Sequence, residues 1–446
     1  MSKSILSLLK KSNSELPIWL GFELSKIPFK YRPGLGKLYQ EQNENIKQFN
    51  ALSIDQKQKR IYNRFYKVFE HAYTKIPFYS ELYKKAGIKL EDINCFDKIK
   101  DIPIISKQDL IDTPLEERSY PIKGRFKVNT GGSSGKPLSF FMDPLRFGNE
   151  WAHIHNMWAQ LGYTPQKLKL SFDGRSTVND YIQYDLIRHS LRFDIYSDKT
   201  KNCQKLLSIC RKYDVEFLHG YPSAISEFAI HCALYEPELL KRLKSTLKGA
   251  FLSSEYPSPH YRDTIEEIFN IPTQSFYGHT ETCVMAVEEE RFKYKVFQTY
   301  GYAESIEMGD TTDLVGTSFF NFASPLIRYN TEDSIKVIDI NNGVLNTFEI
   351  KEGRKGEFIL DKNNVKISLT GLLFGRHHKL FDVSDHIQVS QTKQGLAKIL
   401  YVSDKNHQDF DSLFDSSNVQ IDFSFERISK PILTKSGKIN LLVNID

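Results

Sequence analysis

The side chains best suited to chemistry gather in one glycine-rich run, Asn129-Thr130-Gly131-Gly132-Ser133-Ser134-Gly135-Lys136-Pro137. Glycines free the backbone to take positive φ and to approach a ligand closely, so consecutive N–H groups can point at one anion. Thr130, Ser133 and Ser134 add hydroxyl donors, and Lys136 adds a point charge. Such a loop suits the β- and γ-phosphates of a nucleotide. It is not a Walker P-loop, which needs four residues between Gly and Gly-Lys and then Ser or Thr; here Gly131 and Gly135 enclose three, and Pro137 follows the lysine. The run also satisfies Gly-x-Ser-x-Gly with Ser133 central, the nucleophile elbow of an α/β-hydrolase. That alternative requires a helix after the turn, whereas Leu138-Ser139-Phe140-Phe141 reads as a strand. The plain alternative is the tip of a surface hairpin.

The elements around this loop follow from periodicity. Residues 1–125 read as mostly helical: Ile61, Phe65, Val68, Phe69 and Ala72 recur at helical spacing among charges, and Pro77 stops the run. Ser106 is placed to cap a helix holding Asp109. From residue 126 strands alternate with helices. Phe126-Lys127-Val128, Lys169-Leu170-Ser171-Phe172, Phe217-Leu218-His219 and Gly249-Ala250-Phe251-Leu252 read as strands, 201–212 and 259–269 as helices, and 312–350 as β-rich. This predicts an α/β fold, a large multi-layered N-terminal domain over 1–353 with a β-rich part. Lys351-Glu352-Gly353-Arg354-Lys355-Gly356 is charged and glycine-bearing, as a linker should be. Beyond it, strands over 388–402 and 419–425 around a helix over 408–414 predict a small C-terminal α+β domain, 354–446. Strand ends are where α/β proteins build sites. Tyr221, in His219-Gly220-Tyr221-Pro222-Ser223, and Ser254 and Glu255 each follow a strand and are candidates to line a substrate pocket. Trp151, His155 and Trp158 share a helical face and are candidates for the same pocket or for plain core.

Composition narrows the partners. The 60 basic and 55 acidic residues leave a net charge of +5, and lysines are interspersed with acids rather than blocked, which argues against nucleic acid as the principal partner. The five cysteines form no Cys-x-x-Cys pair, which points to a reducing, cytoplasmic setting and away from a disulfide framework or structural zinc. The apolar run from Ile5 to Leu9 is too short for a signal peptide and reads as a short amphipathic helix on the body, or a weak surface anchor. No stretch approaches the roughly 20 apolar residues of a membrane span.

Further segments, in chain order, resemble the adenylate-forming superfamily of acyl-CoA synthetases, peptide-synthetase adenylation domains and luciferases. Within it the chain is similar to the phenylacetate–CoA ligase branch and its CapK-like capsular polysaccharide subgroup. The likeness runs from Ala72-Tyr73-Thr74-Lys75-Ile76-Pro77-Phe78-Tyr79 to the C-terminus. The 129–137 run is similar to the superfamily's phosphate loop. Ser275-Phe276-Tyr277-Gly278-His279-Thr280-Glu281 resembles its Tyr-Gly-x-Thr-Glu motif. The resemblance implies that Tyr277 stacks on adenine, Gly278 lets the backbone come close, Thr280 bonds the α-phosphate and Glu281 holds Mg²⁺. Pro325-Leu326-Ile327-Arg328-Tyr329-Asn330-Thr331-Glu332-Asp333 is similar to the strand ending in a ribose-binding Asp. The resemblance implies that role for Asp333, since one carboxylate accepts two O–H bonds, and for Arg328 that of an orienting ion pair. Gly353-Arg354-Lys355-Gly356-Glu357 looks like the family's hinge, with Arg354 reaching the nucleotide and Glu357 at the pivot. A second Gly-Arg, at Gly375-Arg376-His377-His378, fits less well, and its histidines read as surface residues. Leu433-Thr434-Lys435-Ser436-Gly437-Lys438 resembles the C-terminal Thr-x-x-Gly-Lys, whose lysine, Lys438, neutralises charge between carboxylate and α-phosphate.

The activity so implied is AMP-forming activation of a carboxylic acid by Mg·ATP, then acyl transfer after the small domain rotates. CoA is the family's usual acceptor; a carrier-protein thiol or a sugar amine or hydroxyl, in polysaccharide biosynthesis, are alternatives. A serine enzyme using Ser133 and a non-catalytic nucleotide-binding relative are the rival classes. The identity of the acid and the oligomeric state are not legible.

Overall fold

The computed structural model describes residues 18–28, 31, 36–130, 138–174, 181–309, 311–350, 357–374, 376, 378–384, 386–403, 411–417, 419–433 and 440–443. The 5–9 run lies outside them. The helix Ile54–Lys75 opens at a capping box in which Ser53 Oγ accepts from Gln56 N–H and Gln56 Oε1 from Ser53 N–H. It buries Ile61, Phe65, Val68, Phe69 and Ala72, the residues the spacing singled out. Ser106 caps Lys107–Asp112 in the same way, with Asp109 as its partner.

Strands β1 (Phe126–Asn129) and β2 (Ser139–Met142) form an antiparallel hairpin. The next twelve form one sheet: β3 (Lys169–Phe172), β4 (Ile182–Asp185), β5 (Ser190–Phe193), β6 (Phe217–Gly220), β7 (Gly249–Leu252), β8 (Thr273–Gly278), β9 (Met285–Glu290), β10 (Lys293–Val296), β11 (Gly301–Met308), β12 (Thr311–Ser318), β13 (Tyr329–Asn341) and β14 (Val344–Ile350). Their order is β11-β12-β13-β14-β10-β9-β8-β7-β6-β3-β5-β4. The strands β5, β3, β6, β7 and β8 run parallel; from β8 to β11 every pairing is antiparallel.

Alternation along the parallel strands sorts the core into layers. Leu218, Ala250 and Leu252 face the helices Lys199–Cys210, Pro222–Tyr235, Pro237–Thr246 and Pro259–Phe269. Phe217 and Phe251 point the other way, against Met157 and Trp158 of Leu145–Trp158. The antiparallel half shares a third cluster with the N-terminal helices, where Phe65, Phe69 and Tyr83 meet Tyr302, Leu314, Ile335 and Phe348.

The C-terminal lobe carries β15 (Phe358–Leu360), β16 (Lys366–Ser368), β17 (His386–Lys393), β18 (Leu396–Val402) and β19 (Asp422–Arg427), in a two-stranded and a three-stranded sheet. Its cluster is its own, joined from the large lobe by Tyr196. Two expectations are corrected here. Of the helix expected over 408–414, the described part is a 3-10 turn, Asp411–Leu413. His378 is buried, not on the surface: it stacks on Phe414 at 4.1 Å, its Nε2 bonds Leu372 O and its Nδ1 accepts from Asp415 N–H. Two strong backbone partners explain its place inside. Among the described residues no helix is long and apolar enough to cross a membrane.

Candidate functional site

The glycine-rich run connects the β1–β2 hairpin. Thr130 closes it: its Oγ1 accepts from Leu138 N–H at 3.0 Å and its own N–H donates to Leu138 O at 2.9 Å. Gly131, Gly132, Ser133, Ser134, Gly135 and Lys136 lie outside the described residues. A strand, not a helix, follows the run, so the nucleophile-elbow context for Ser133 is not met. The hairpin is fixed to the segment leading into β13: Phe141 N–H donates to Ser324 Oγ and Asp143 N–H to Asn321 Oδ1, each at 3.0 Å. Leu138, Phe140 and Met142 share one core with Tyr277, Cys283, Leu326, Ile327 and Tyr329.

Tyr277 and Gly278 end β8, the last parallel strand, where pairing turns antiparallel. Such a switch leaves a crevice beyond the strand ends. The chain turns at once, with Thr282 N–H on His279 O and Thr282 at φ 58°. Tyr277 Oη donates to Asp333 Oδ2 at 2.5 Å. Burial, with the Asp333 charge, pushes the Tyr277 hydroxyl far above its ordinary pKa, so it remains a donor. The Tyr277 ring is 8% exposed and meets Phe348 and His279 edge-on, at 5.4 and 5.8 Å. Burial raises the Glu281 carboxyl, but the hydrogen bond and charge of His279, helped by Lys107, outweigh it and hold Glu281 below its ordinary value. The His279 Nδ1 to Glu281 Oε2 distance is 3.2 Å. Thr280, between them, is partly exposed.

Asp333 is aimed by irregular backbone. The β12–β13 register slips between Asp313 and Val315, and Arg328 and Glu332 take φ of 49° and 61°. Thr331 Oγ1 then accepts from Asp333 N–H and donates to Leu314 O. Arg328 is committed elsewhere, bidentate to Glu304 at 3.1 Å and bonded to the Lys100 and Ile102 carbonyls. It pins the N-terminal region to β13, in keeping with an orienting ion pair. Burial raises the Tyr329 hydroxyl, and the charges of Glu281 and Asp333 both reach it. Tyr277, Glu281 and Asp333 therefore come together; His279, Lys107 and Tyr329 join them.

The other strand ends lie along the same edge. Tyr221 follows β6 and is buried; Ser254 follows β7 at φ 68°; Glu255 Oε2 accepts from Ser223 N–H at the start of Pro222–Tyr235, at 3.2 Å. Trp158 is core: it is 2% exposed and stacks on Phe251 at 4.7 Å and 14°. The C-terminal lobe reaches this edge through the helical turn Thr370–Phe374, whose Gly371 lies against Gly174, Tyr196 and Tyr221. A cleft between the lobes is lined by Ser223, Glu255, Tyr261, Glu357 and Lys366. Arg354 and Lys438 lie outside the described residues.

No protein-family model matches the chain. Among curated proteins it is similar to Protein CapK of Staphylococcus aureus, 22% identical over 433 residues and 92% of each chain. It is also similar to phenylacetate-coenzyme A ligase of Escherichia coli (strain K12), 21% identical over 340 residues, 71% of this chain and 76% of the relative. The Pseudomonas putida enzyme of that name is 23% identical over 290 residues, 60% of this chain and 64% of the relative. Among solved structures, 2-hydroxyisobutyryl-CoA ligase in the postadenylation state with R3-HIB-AMP matches with TM-score 0.53 and 15% identity, over 88% of this chain and 90% of that one. The same ligase with 2-HIB-AMP and CoA in the thioesterification state matches equally, with TM-score 0.53, 15% identity and the same coverage. The architecture, a large mixed sheet followed by a small C-terminal sheet lobe, is that of an adenylate-forming ligase.

Proposed function

We propose that this chain, a homologue of CapK and the phenylacetate–CoA ligases with the fold of adenylate-forming ligases, activates a carboxylic acid with ATP as its acyl-adenylate and passes the acyl group to an acceptor. The observation that carries this reading is the meeting of Tyr277 and Asp333, 56 residues apart, beside Glu281 at the end of β8.

In the first step a carboxylate oxygen attacks the α-phosphorus of ATP, and the bond to pyrophosphate breaks. Thr130 and the loop residues Gly131 to Lys136 hold the leaving phosphates. Asp333 takes the ribose hydroxyls, oriented by Tyr277. Thr280 bonds the α-phosphate, and Lys438 neutralises charge as the bond forms. Arg354 contacts the nucleotide from the hinge. Catalysis of this kind is positioning with charge stabilisation. The donors present fit Mg²⁺ carried by the nucleotide: Glu281 offers one carboxylate, and no group of three or more metal-ligating side chains occurs among the described residues. One protein carboxylate plus substrate phosphates is the ordinary arrangement for that ion, which supplies charge neutralisation.

In the second step the lobe beyond Gly353 turns and an acceptor attacks the acyl carbon, releasing AMP. Tyr221, Ser254 and Glu255 edge the pocket. CoA is the acceptor to test first; a carrier-protein thiol and a sugar amine or hydroxyl, for polysaccharide biosynthesis, are set against it. Five unpaired cysteines support a cytoplasmic setting. The test is carboxylate-dependent ATP–pyrophosphate exchange by purified protein over arylacetic, hydroxy and fatty acids. Lys438→Ala should slow exchange about 10²–10³-fold while sparing ATP binding. Exchange with no acid of the panel would overturn the proposal.

A further inference from the structure

The cleft between the lobes encloses about 830 Å³ of open space, a volume suited to a small molecule. The large lobe brings Glu227, Glu255 and Tyr261 to it, and the β15–β16 hairpin brings Glu357, Phe358 and Lys366. Glu255 also follows β7, beside the residues proposed to edge the acyl pocket. The cleft therefore adjoins the place from which the acyl group leaves.

Its lining favours a cation over an anion. The carboxylates are Glu227, Glu255 and Glu357; against them stand Lys199, Lys366 and the exposed His260. Both lysines are engaged. Lys199 Nζ donates to Glu227 Oε2 at 2.8 Å, and Lys366 Nζ lies over the Phe358 ring, 4.6 Å from its centre. Among the described residues no arginine lines the cleft, although arginine is the usual partner of a phosphate. Glu357 accepts from a backbone group, Leu442 N–H, at 3.2 Å, and burial holds its carboxyl above the ordinary value. Phe358 is 41% exposed, and an aromatic face attracts ammonium groups, as its contact with Lys366 already shows. Burial and the charges of Glu255 and Glu227 raise the Tyr261 hydroxyl, which stays a neutral donor. The phosphates of CoA would meet these carboxylates as like charges, at a cost in affinity.

We propose that the acceptor is a primary amine, which enters the cleft as its ammonium, and not CoA. This assignment rests on the acyl-adenylate of the function proposed above. In the transfer step the ammonium gives one proton to a cleft carboxylate. The freed lone pair forms the C–N bond to the acyl carbon, the bond from that carbon to the phosphate oxygen breaks, and AMP leaves. The nitrogen's second proton passes to solvent, and the product is an amide.

The test uses the full chain with the acid that supports the fastest ATP–pyrophosphate exchange. D-glucosamine, a panel of alkyl amines and CoA are compared by AMP release, with products identified by mass spectrometry. The wild type should form amide, with kcat/KM for the best amine about ten-fold or more above that for CoA. Glu227→Gln removes a carboxylate and frees Lys199, so the amine-to-CoA ratio should fall about five-fold; Lys199→Gln breaks the same ion pair but keeps the carboxylate, so the ratio should rise. Taking the ratio within one protein cancels any change in the adenylation step. Shifts of the same sign in both variants would show a structural effect and overturn the charge argument. If a variant does not fold, judged by its thermal melt, the wild-type products decide. Thioester or ester as the chief product would overturn the amine and leave acid activation standing. Absence of exchange with every acid would instead bring down the adenylate reading, and the amine with it.

Discussion

Gly174→Ala should loosen the C-terminal lobe from the large one. Gly174 follows β3 and faces Gly371. A Cβ at Gly174 would stand 2.6 Å from Gly371 Cα and 2.7 Å from its carbonyl carbon and oxygen. Those are main-chain atoms and cannot rotate aside. A Cβ at Gly371 would meet Tyr196 Oη at 2.9 Å and Tyr221 Cε2 at 3.1 Å, ring edges that can yield. Overpacking of this kind costs about 1–3 kcal/mol, so Gly174→Ala belongs at the upper end and Gly371→Ala at the lower. The cost falls only on the docked arrangement. The docked-to-undocked ratio should then fall about five-fold for Gly371→Ala and about a hundred-fold for Gly174→Ala. Small-angle scattering reads this as a larger radius of gyration. Measuring exchange and acyl transfer separately shows which half-reaction runs in the docked arrangement, since only that one should slow. An unchanged scattering profile for Gly174→Ala, or a larger effect from Gly371→Ala, would refute the argument.

Tyr277→Phe removes the O–H that orients Asp333, a bond contributing about 1 kcal/mol, so ATP should bind about five-fold more weakly by titration calorimetry; an unchanged affinity would remove Asp333 from the ribose site. His153 is buried, its two nitrogens engaged by Asn149 O and Thr299 Oγ1, and burial lowers its pKa from 6.5 to about 4. The unfolded chain thus takes up a proton across this window that the folded chain does not. The contribution is complete above pH 6.5 and is lost as pH falls toward 4, reaching about 2 kcal/mol by pH 5 and at most about 3. The urea midpoint should drop between pH 7 and pH 5, and His153→Gln should shrink that drop; an equal drop in the variant would refute it.

What could be read from sequence was what depends on local pattern. The 3.6-residue spacing of Ile61 to Ala72 fixes a helix face, and short apolar runs fix β3, β6 and β7, because those signals act within one element. Tyr277, Glu281 and Asp333 were reachable through motif likeness. Lys107 was not: its approach to Glu281 depends on Ile105 pairing with Tyr329, more than 200 residues later. Trp158 shares its helical spacing with His155, but spacing does not reveal that Phe251 stacks on it. Gln388 of β17, whose amide bonds the main chain of Ile432 and Asn440, did leave a signal. It interrupts the apolar pair Ile387 and Val389 in a strand where all three are buried, and a buried amide demands partners. The Gly174–Gly371 contact left none, because two glycines far apart in sequence carry no mark of facing each other.

The meeting of Tyr277 with Asp333 is at bottom a statement about sheet curvature. Between β8 and β13 stand β9, β10 and β14, so in a flat sheet the two strands would lie about 19 Å apart at the usual spacing. A tyrosine and an aspartate cannot span that gap, yet their oxygens are 2.5 Å apart. The antiparallel half must therefore curl until β13 faces back on β8. Register slips between β9 and β10, and on both sides of β13, supply bends of the kind that increase local twist. Tyr277, Tyr294, Tyr302, Ile335 and Phe348 share the interior of that curl with Phe65 and Phe69 of the N-terminal helix. The helical first quarter of the chain thus acts on the site by packing as well as through Lys107: it fills the concavity that keeps the Asp333 carboxylate beside the turn holding Glu281.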